Sequence, residues 1–322
     1  MKRPLIILTG PTAVGKTELS ICLAKLVNGE IISADSMQVY QGMDIGSAKI
    51  MPEEMKGVPH HLVDIIRPDE EFHVVRFQKC ARRCIEEIYA RGRIPVLVGG
   101  TGFYIQAVLY DIDFTENGGD DTYRKELEAF AVQNGNESLH RMLAAVDAVS
   151  AEQIHANNVK RVIRALEYYH ETGEPISKHN EEERKKESPY QFAYFVLNDR
   201  RDRLYQKIDA RVDQMLEAGL VEEVRALKEK GYTKDMVSMQ GLGYKEILNY
   251  LDGFCTLEEA VYVLKRDTRH FAKRQLTWFR REREVYWIDK DLFAYDNEKI
   301  LERMAQILTE KGILPVQEKW KQ

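Results

Sequence analysis

Short apolar runs alternate with helical periodicity over the first 110 residues of the chain and return near its end. The predicted strands cover residues 5–8, 30–34, 94–98, 192–197 and 285–288. Between the first three, segments 18–27 and 73–90 repeat apolar residues three and four positions apart, as helices do. Strands that alternate with helices predict an α/β fold, in which helices cover both faces of a parallel sheet.

The pattern changes from strands to helices between residues 115 and 189. This segment opens with a loop at 117–120. Its predicted helices are 121–132, 138–146 and 158–171. The run 177–188 is charged and poor in apolar residues, which predicts a mobile segment. We therefore predict an all-helical domain at 115–189, inserted into a core formed by residues 1–114 and 190–322.

A glycine-rich motif typical of phosphate binding lies between the first strand and the first helix. It fits the pattern G-x-x-x-x-G-K-[ST], and its residues are Gly10, Pro11, Thr12, Ala13, Val14, Gly15, Lys16 and Thr17. In such a loop the backbone N–H groups and the helix N-terminus face an anion, Lys16 adds a positive charge, and the Thr17 hydroxyl is a ligand for Mg²⁺. The motif predicts a site for a diphosphate or a longer phosphate chain, with Mg²⁺ as cofactor.

Two polar residues follow the next two strands. Asp35 comes directly after the second strand, and Thr101 lies in a Gly-Gly-Thr-Gly turn after the third. Because ligands of parallel sheets bind at the carboxyl ends of the strands, both side chains are expected near the phosphate motif. Asp35 is a candidate Mg²⁺ ligand or general base, or else only the cap of a turn. The Thr101 turn is a candidate ligand contact, or else only a tight connection from strand to helix.

The chain has a formal net charge of −5, yet two of its segments are strongly basic. Residues 265–283 carry a net charge of +6, with three aromatic side chains among the cations, and a second basic cluster occupies 160–164. Proteins bind single-stranded nucleic acid with cations that contact the phosphates and with aromatic rings that stack on the unpaired bases. The alternative is a basic helix face that is only solvated. Two such clusters in a protein with a phosphate site favour a polynucleotide partner.

The cysteine and histidine patterns predict neither disulfides nor a transition-metal centre. Cys80 and Cys84 stand one helical turn apart, but no second Cys/His pair lies at ligand spacing. His60 and His61 are adjacent and do not share a face of regular structure, so structural roles are expected for both. The sequence contains no signal-peptide pattern and no apolar run long enough to span a membrane. A cytoplasmic protein without a membrane partner is therefore expected.

Six motifs occur in the order found in bacterial tRNA dimethylallyltransferases, the IPP transferase family. Besides the phosphate motif they are the segments 35–40, 99–104, 161–167, 240–245 and 273–280. The chain resembles this family over nearly its whole length. The resemblance implies a P-loop NTPase-like sheet core with a helical insertion that holds the tRNA anticodon stem-loop. It also implies transfer of a dimethylallyl group from dimethylallyl diphosphate to N6 of adenine 37, and a monomer is expected.

The resemblance assigns roles to individual residues. Asp35 is implied as the base that accepts a proton from the adenine amino group. Thr101 is implied to hydrogen-bond the oxygen that bridges the allyl group and the diphosphate, and Lys16 to hold the diphosphate. The residues implied to line the tRNA path are Asp35, Ser36, Met37, Gln38, Thr101, Arg124, Lys160, Arg161, Val162, Ile163, Arg164, Gln240, Gly241, Leu242, Gly243, Tyr244, Lys245, Lys273, Arg274, Gln275, Trp278 and Arg280.

Two other functions account for parts of the pattern. A small-molecule kinase that uses ATP explains the phosphate motif and Asp35, but it leaves the basic segment 265–283 without a role. A non-catalytic RNA-binding protein that responds to nucleotide occupancy explains the basic segments, and it predicts that replacing Asp35 leaves activity unaffected. Turnover of ATP with a small acceptor, or of a prenyl donor with tRNA, separates these functions.

Overall fold

The computed structural model describes residues 2–114 and 122–315 of the chain. The chain divides into a core unit, Met1–Leu109 with Ser188–Gln322, and an insertion unit, Tyr110–Glu187. These bounds differ from the predicted insertion, 115–189, by five residues at its start and two at its end. The predicted loop at 117–120 and the predicted helix start at Asp121 lie outside the described residues.

The core unit contains a parallel sheet. Its strands are β1 (Arg3–Thr9), β2 (Gly29–Ser33), β3 (His60–His61), β4 (Ile94–Gly99), β5 (Tyr190–Asn198) and β6 (Val285–Asp289). Within the described residues these six strands are arranged in the order β3-β2-β4-β1-β5-β6, and all pairs are parallel. The predicted α/β fold with a parallel sheet is confirmed. Strand β3 escaped prediction because two residues are too few to show a period.

The helices of the described residues are α1 (Lys16–Leu26), α2 (Val74–Ala90), α3 (Gly102–Leu109), α4 (Thr122–Asn134), α5 (Asn136–Val146), α6 (Ala148–Gln153), α7 (Val159–Thr172), α8 (Ile176–Lys185), α9 (Arg201–Glu217), α10 (Leu220–Glu229), α11 (Tyr244–Leu251), α12 (Leu257–Phe279) and α13 (Asn297–Glu310). Short 3₁₀ turns lie at Ser238–Gln240 and Lys290–Phe293. Helices α4 to α8 form the insertion unit, and the others belong to the core unit.

Strand β1 lies in the middle of the sheet, with β4 on one side and β5 on the other. Leu5, Ile6, Ile7 and Leu8 are fully buried, because neighbouring strands and covering helices leave no polar face. The loop that follows β1 therefore starts at the centre of the carboxyl edge of the sheet, where ligands of parallel sheets bind.

Helix α12, at 23 residues the longest described here, begins with a capping box. The Thr256 hydroxyl accepts a hydrogen bond from the Glu259 N–H, and the Glu259 carboxylate accepts one from the Thr256 N–H. These two bonds satisfy backbone donors that the first turn of a helix leaves free. The box therefore fixes the residue at which α12 starts.

Helix α8 covers most of the segment 177–188, which was predicted to be mobile but was not predicted to be helical. It buries none of its residues, so apolar periodicity could not reveal it. Lys178 and Glu174 form an ion pair four residues apart, and so do Lys185 and Glu181. Ion pairs at this spacing stabilise an exposed helix.

The insertion unit has its own apolar core. Leu127 of α4, Leu139 and Leu143 of α5, and Val162 and Leu166 of α7 are almost completely buried against one another. Burial at positions three and four apart on each helix is the pattern of amphipathic helices packed in a bundle.

A buried ion-pair cluster ties the amino end of β2 to its neighbours. The Glu30 carboxylate is 2% exposed and accepts two hydrogen bonds from Arg91, at 2.9 and 2.7 Å. Arg93 Nη1 lies 3.2 Å and His61 Nε2 2.6 Å from the same carboxylate. The Arg91 hydrogen bonds outweigh burial, and with His61 they lower the pKa of Glu30 from 4.5 to about 2.

Replacing Glu30 with Gln is expected to lower the free energy of unfolding by about 3 kcal/mol at neutral pH. Because the folded pKa lies below the unfolded one, the carboxylate contributes its full stability above about pH 4.5. That contribution falls as the pH drops from there toward about 2, so the difference in the free energy of unfolding between wild type and variant should become smaller. Urea unfolding of both proteins from pH 7 to about pH 3 measures this difference.

The matched control is Glu86→Gln, which removes the carboxylate of an exposed pair with Arg3 and should cost less than about 1 kcal/mol. A gap between wild type and Glu30→Gln that stays constant with pH would contradict the assignment.

None of the helices in the described ranges 2–114 and 122–315 combines the length and the apolar character needed to cross a membrane.

Candidate active site

The phosphate motif forms the loop between β1 and α1. β1 ends at Thr9 and α1 begins at Lys16. Gly15, the residue just before the helix, has φ +96°, a left-handed conformation that side chains disfavour. This turn leaves the first N–H groups of α1 at the carboxyl edge of the sheet, where they can donate to an anion.

The Lys16 side chain folds back over this loop. Its Nζ donates hydrogen bonds to the carbonyl oxygens of Gly10, at 2.9 Å, and Pro11, at 2.8 Å. Burial lowers the pKa of Lys16 to about 7; the charge of Arg211 acts in the same direction, and the Asp35 carboxylate opposes both. A bound diphosphate would supply the negative charge that favours the protonated ammonium.

Asp35 follows β2, and its carboxylate is held by the turn that it begins. Oδ1 accepts hydrogen bonds from the N–H groups of Met37, at 2.8 Å, and Gln38, at 3.3 Å. Oδ2 receives no hydrogen bond from the described part of the chain. Asp35 therefore does cap a turn, which is one of the two roles the sequence predicts, but the cap uses Oδ1 and leaves Oδ2 open.

Thr101 links β4 to α3. Its N–H donates to the Ala34 carbonyl oxygen at 3.2 Å, and its own carbonyl oxygen accepts from Tyr104 and Ile105 in the first turn of α3. Ala34 immediately precedes Asp35, so this backbone bond brings the Thr101 turn next to the turn that holds the carboxylate. The partly buried Thr101 side chain stands at the same edge of the sheet as the phosphate motif.

Two cations beside the phosphate motif were missed from sequence. Arg211 of α9 places Nη1 3.4 Å from Thr12 Oγ1; burial lowers the pKa of its guanidinium and Asp35 opposes that shift. Lys290, which follows β6 and is 8% exposed, places Nζ 3.4 Å from the Val14 carbonyl oxygen. Nothing in the sequence around either residue separates it from other surface cations.

The chain segment after Asp35 is held in place by a buried lysine and a partly buried glutamate. Lys49 Nζ contacts the Tyr40 carbonyl oxygen at 2.6 Å, Asp44 at 2.5 Å and Asp64 at 2.6 Å. The carboxylate of Glu223, on α10, accepts hydrogen bonds from the backbone N–H groups of residues 44–46 at 2.7 to 3.1 Å. These bonds order a segment that has little regular structure of its own.

The predicted tRNA segments 35–38 and 240–245 meet in space. The Met37 side chain packs directly on Gly241, and Gln38 Nε2 donates to the Ala48 carbonyl oxygen at 3.0 Å. Tyr244 is fully buried, and its hydroxyl donates to Glu223 at 2.8 Å. The Tyr244 side chain therefore supports this region by packing. Gln240 is exposed, and Leu242 and Lys245 are partly exposed; Gly243 is buried.

The outer face of α12 is a basic pocket. The pocket has a volume of about 390 Å³ and is lined by His270, Lys273, Arg274, Thr277, Trp278 and Arg281. The Trp278 ring meets Phe103 edge-on, with 6.2 Å between the ring centroids. Arg280, just after the helix, is exposed. Gln275 is buried and points away from this pocket.

In the insertion unit the predicted tRNA residues divide into two groups. Lys160 and Arg161 are exposed and Arg164 is partly exposed, whereas Val162 and Ile163 are buried in the core of the unit. The Arg124 guanidinium donates two hydrogen bonds to the Glu167 carboxylate, at 2.8 and 2.9 Å. Val162 and Ile163 thus support the helix that presents the neighbouring cations.

Both histidines of the pair His60–His61 contact neighbouring protein groups, and Cys84 of the cysteine pair is partly buried. His61 contacts Glu30, and His60 Nδ1 lies 2.8 Å from the Val58 carbonyl oxygen. Burial raises the pKa of the Cys84 thiol to about 11, which disfavours the thiolate that would bind a metal. Across the described ranges, His, Cys, Asp and Glu side chains form no group of three or more suited to a metal ion.

Comparisons with known proteins agree on one family. The model of the IPP transferase family matches residues 38–282, and an isopentenyl transferase model matches residues 3–68. A tRNA dimethylallyltransferase of Lachnoclostridium phytofermentans is 66% identical over 312 residues, which cover 97% of this chain and 99% of that protein. The chain belongs to the tRNA dimethylallyltransferase family.

Solved structures of family members share the fold. The full-length tRNA isopentenylpyrophosphate transferase of Bacillus halodurans is 49% identical with a TM-score of 0.73, covering 97% of this chain and 98% of that one. A eukaryotic dimethylallyltransferase acting on tRNA is 30% identical with a TM-score of 0.82, covering 96% of this chain and 80% of that one. The predicted family, fold and prenyltransferase class are confirmed, and neither the kinase nor the non-catalytic RNA-binding alternative gains support.

Proposed function

We propose that this chain transfers the dimethylallyl group of dimethylallyl diphosphate to N6 of adenine 37 in the anticodon stem-loop of tRNA. Membership of the family supports dimethylallyl transfer to tRNA. The observation that carries the proposal is geometric: Lys16 and Arg211 both contact the phosphate motif, and a backbone hydrogen bond from Thr101 to Ala34 joins the Thr101 turn to the turn that holds Asp35. A candidate base and a site for an anionic leaving group therefore adjoin.

The reaction forms a C–N bond and breaks a C–O bond. The N6 lone pair attacks the allylic carbon, and the bond between that carbon and the bridging oxygen breaks, so that diphosphate leaves with the electron pair. The N6 proton passes to Oδ2 of Asp35, the oxygen left open by the turn. A positioned carboxylate is needed because an exocyclic adenine amine is a weak nucleophile.

The remaining side chains stabilise the leaving group. The Thr101 hydroxyl donates to the bridging oxygen, on which negative charge develops as the bond breaks. Lys16, Arg211 and the N–H groups at the start of α1 neutralise the diphosphate, and fixed donors of this kind lower the barrier because they need no reorganisation. Adenine 37 reaches the site by leaving its stack, which costs less in an unpaired loop than in a duplex.

Mg²⁺ is part of the proposal, with Thr17 as its protein ligand. Thr17 is exposed in the first turn of α1, and its hydroxyl makes no hydrogen bond to any described residue. Mg²⁺ prefers oxygen ligands and usually shares them between a protein group and substrate phosphates, which fits this position. When bound, the ion adds positive charge beside the leaving diphosphate.

The monomeric state and the cytoplasmic location of this protein stay predictions.

Incubation of unmodified tRNA with dimethylallyl diphosphate and Mg²⁺, followed by nucleoside mass analysis, tests the proposal. The expected product is N6-(dimethylallyl)adenosine at position 37 with one diphosphate released for each group transferred. A tRNA in which adenine 37 is replaced by guanosine is the matched control and should gain no prenyl group. ATP consumption driven by a small hydroxylic acceptor, without prenylation of tRNA, would instead support a kinase.

Replacing Lys273 and Arg280 together with Ala is expected to weaken tRNA binding and to flatten its salt dependence. Each cation that meets a phosphate contributes about 0.7 to the slope of log K against log salt on single-stranded nucleic acid, so the slope should fall by about 1.4. Filter binding over a series of salt concentrations measures this slope. Lys299→Ala with Arg303→Ala removes the same charge from α13 and is the matched control. Equal slopes for both double variants would show that the α12 face is only solvated.

A further inference from the structure

Gln275 lies within the segment of α12 that resembles a tRNA-binding motif, but its side chain faces the core. It is 6% exposed, and Ala272 and Phe279, which share its face of the helix, are fully buried. Lys273 and Thr277 are exposed and line the basic pocket on the opposite face. At 100° per residue, the direction of Gln275 is nearly opposite to the centre of that pocket.

The Gln275 amide joins two loops of the active site. Its oxygen accepts a hydrogen bond from the backbone N–H of Thr12, in the phosphate motif, at 2.9 Å. Its NH₂ group donates to the Gly100 carbonyl oxygen, directly before Thr101, also at 2.9 Å. An uncharged side chain with an acceptor and a donor on one planar group satisfies both loops at once.

The fit around this amide is close. A methyl group added at Gly100 would overlap the Gln275 NH₂ group, so glycine there allows the loop to approach the helix. Thr12 is contacted from its other side by Arg211, whose Nη1 lies 3.4 Å from the hydroxyl. Beyond the paired ends of β1 and β4, where the Thr9 hydroxyl also bonds the Gly99 carbonyl oxygen, the Gln275 side chain spans the gap between the phosphate motif and the residue before Thr101.

We infer that Gln275 is a positioning residue that fixes the phosphate motif relative to Thr101, and that it does not contact tRNA. This inference rests on the proposed function, in which the motif holds the diphosphate while Thr101 contacts its bridging oxygen. Without the two hydrogen bonds, the two loops lose their direct link beyond the paired ends of β1 and β4, and the bound diphosphate is no longer aligned with Thr101. Displacements of about 1 Å are enough to lower rates by about two orders of magnitude.

The test compares Gln275→Ala and Gln275→Glu with Gln306→Ala, which removes an exposed glutamine side chain from α13. Gln275→Glu keeps the volume and the acceptor for Thr12 but loses the donor for Gly100. For both Gln275 variants we expect kcat/KM for dimethylallyl diphosphate to fall by about 10- to 100-fold. The Kd for inorganic diphosphate should rise, and the Kd for tRNA should change less than about two-fold, since no cation is lost. Gln306→Ala should match wild type throughout.

Two outcomes would overturn the inference. One is a large increase in the Kd for tRNA with unchanged diphosphate binding, which would place Gln275 in contact with RNA. The other is unchanged kinetics in a folded variant, which would show that the two bonds do not set the loops. If Gln275→Ala fails to fold, the same kinetic and binding measurements on Gln275→Glu decide between these outcomes. Because inorganic diphosphate binding needs no transfer, failure of wild type to prenylate tRNA would overturn the proposed function separately.

Discussion

Asp35→Asn is expected to lower kcat by about 10²- to 10⁴-fold and to leave the binding of dimethylallyl diphosphate nearly unchanged. Asparagine keeps the Oδ1 acceptor, so the hydrogen bonds from the Met37 and Gln38 N–H groups persist and the turn retains its shape. It replaces Oδ2, the proposed acceptor of the N6 proton, with an NH₂ group, which has no basic lone pair. Single-turnover prenylation of tRNA gives the rate of the chemical step, and calorimetry gives the binding of the donor.

Asp35→Ala separates the two roles of this carboxylate. It removes both the base and the cap, so it should match the loss of kcat in Asp35→Asn and also loosen the turn that carries Met37 and Gln38. If the Kd for tRNA rises in Asp35→Ala but not in Asp35→Asn, the turn capped by Asp35 contributes to tRNA binding. If Asp35→Asn turned over at the wild-type rate, another group would have to accept the proton.

Lys16→Met is expected to lower kcat by about 10²- to 10³-fold and to weaken binding of dimethylallyl diphosphate. Methionine keeps an unbranched side chain of similar length but removes the ammonium that lies over the Gly10 and Pro11 carbonyl oxygens. In the proposed mechanism, charge that builds up on the leaving diphosphate is then neutralised by Mg²⁺, Arg211 and the N–H groups of α1, without the Lys16 ammonium. Steady-state kinetics at saturating tRNA measures kcat and the KM for the donor.

The matched control is Lys25→Met, which removes an exposed lysine from the last turn of the same helix. It should alter neither kcat nor the KM for the donor. Lys16→Arg should recover only part of the activity, because the planar guanidinium is broader than the ammonium in a closely packed loop. Equal effects of Lys16→Met and Lys25→Met would mean that Lys16 acts only through overall charge.

Much of the fold was predictable because its signals are local. The apolar runs of β1, β2, β4, β5 and β6 are bounded by polar segments, and buried parallel strands read as such runs. The charged helix α8 and the two-residue strand β3 were missed for a common reason. Neither element buries a row of apolar side chains, so the sequence of neither shows a periodic repeat of apolar residues.

The residues of the site were predictable where a motif carries the chemistry within a few positions. Gly10 to Thr17, Asp35 and Thr101 are candidate site residues from the sequence alone, since each follows a predicted strand. Arg211 was missed, because only the packing of α9 against the sheet brings it to the phosphate motif. Tyr244 and Gln275 were placed on the tRNA path by motif alone, whereas their side chains are buried and bonded within the core unit.

The sequence alone therefore determines the family, the parallel sheet and the position of the phosphate motif, because these depend on short patterns of residue type. The direction of each side chain depends on which face of its helix meets the sheet, and packing decides that. Lys273 and Gln275 are two residues apart in one basic segment, yet one is exposed in the α12 pocket and the other joins Thr12 to Gly100. A helix turns 200° over two residues, so neighbours in sequence come to act on opposite sides of the same element.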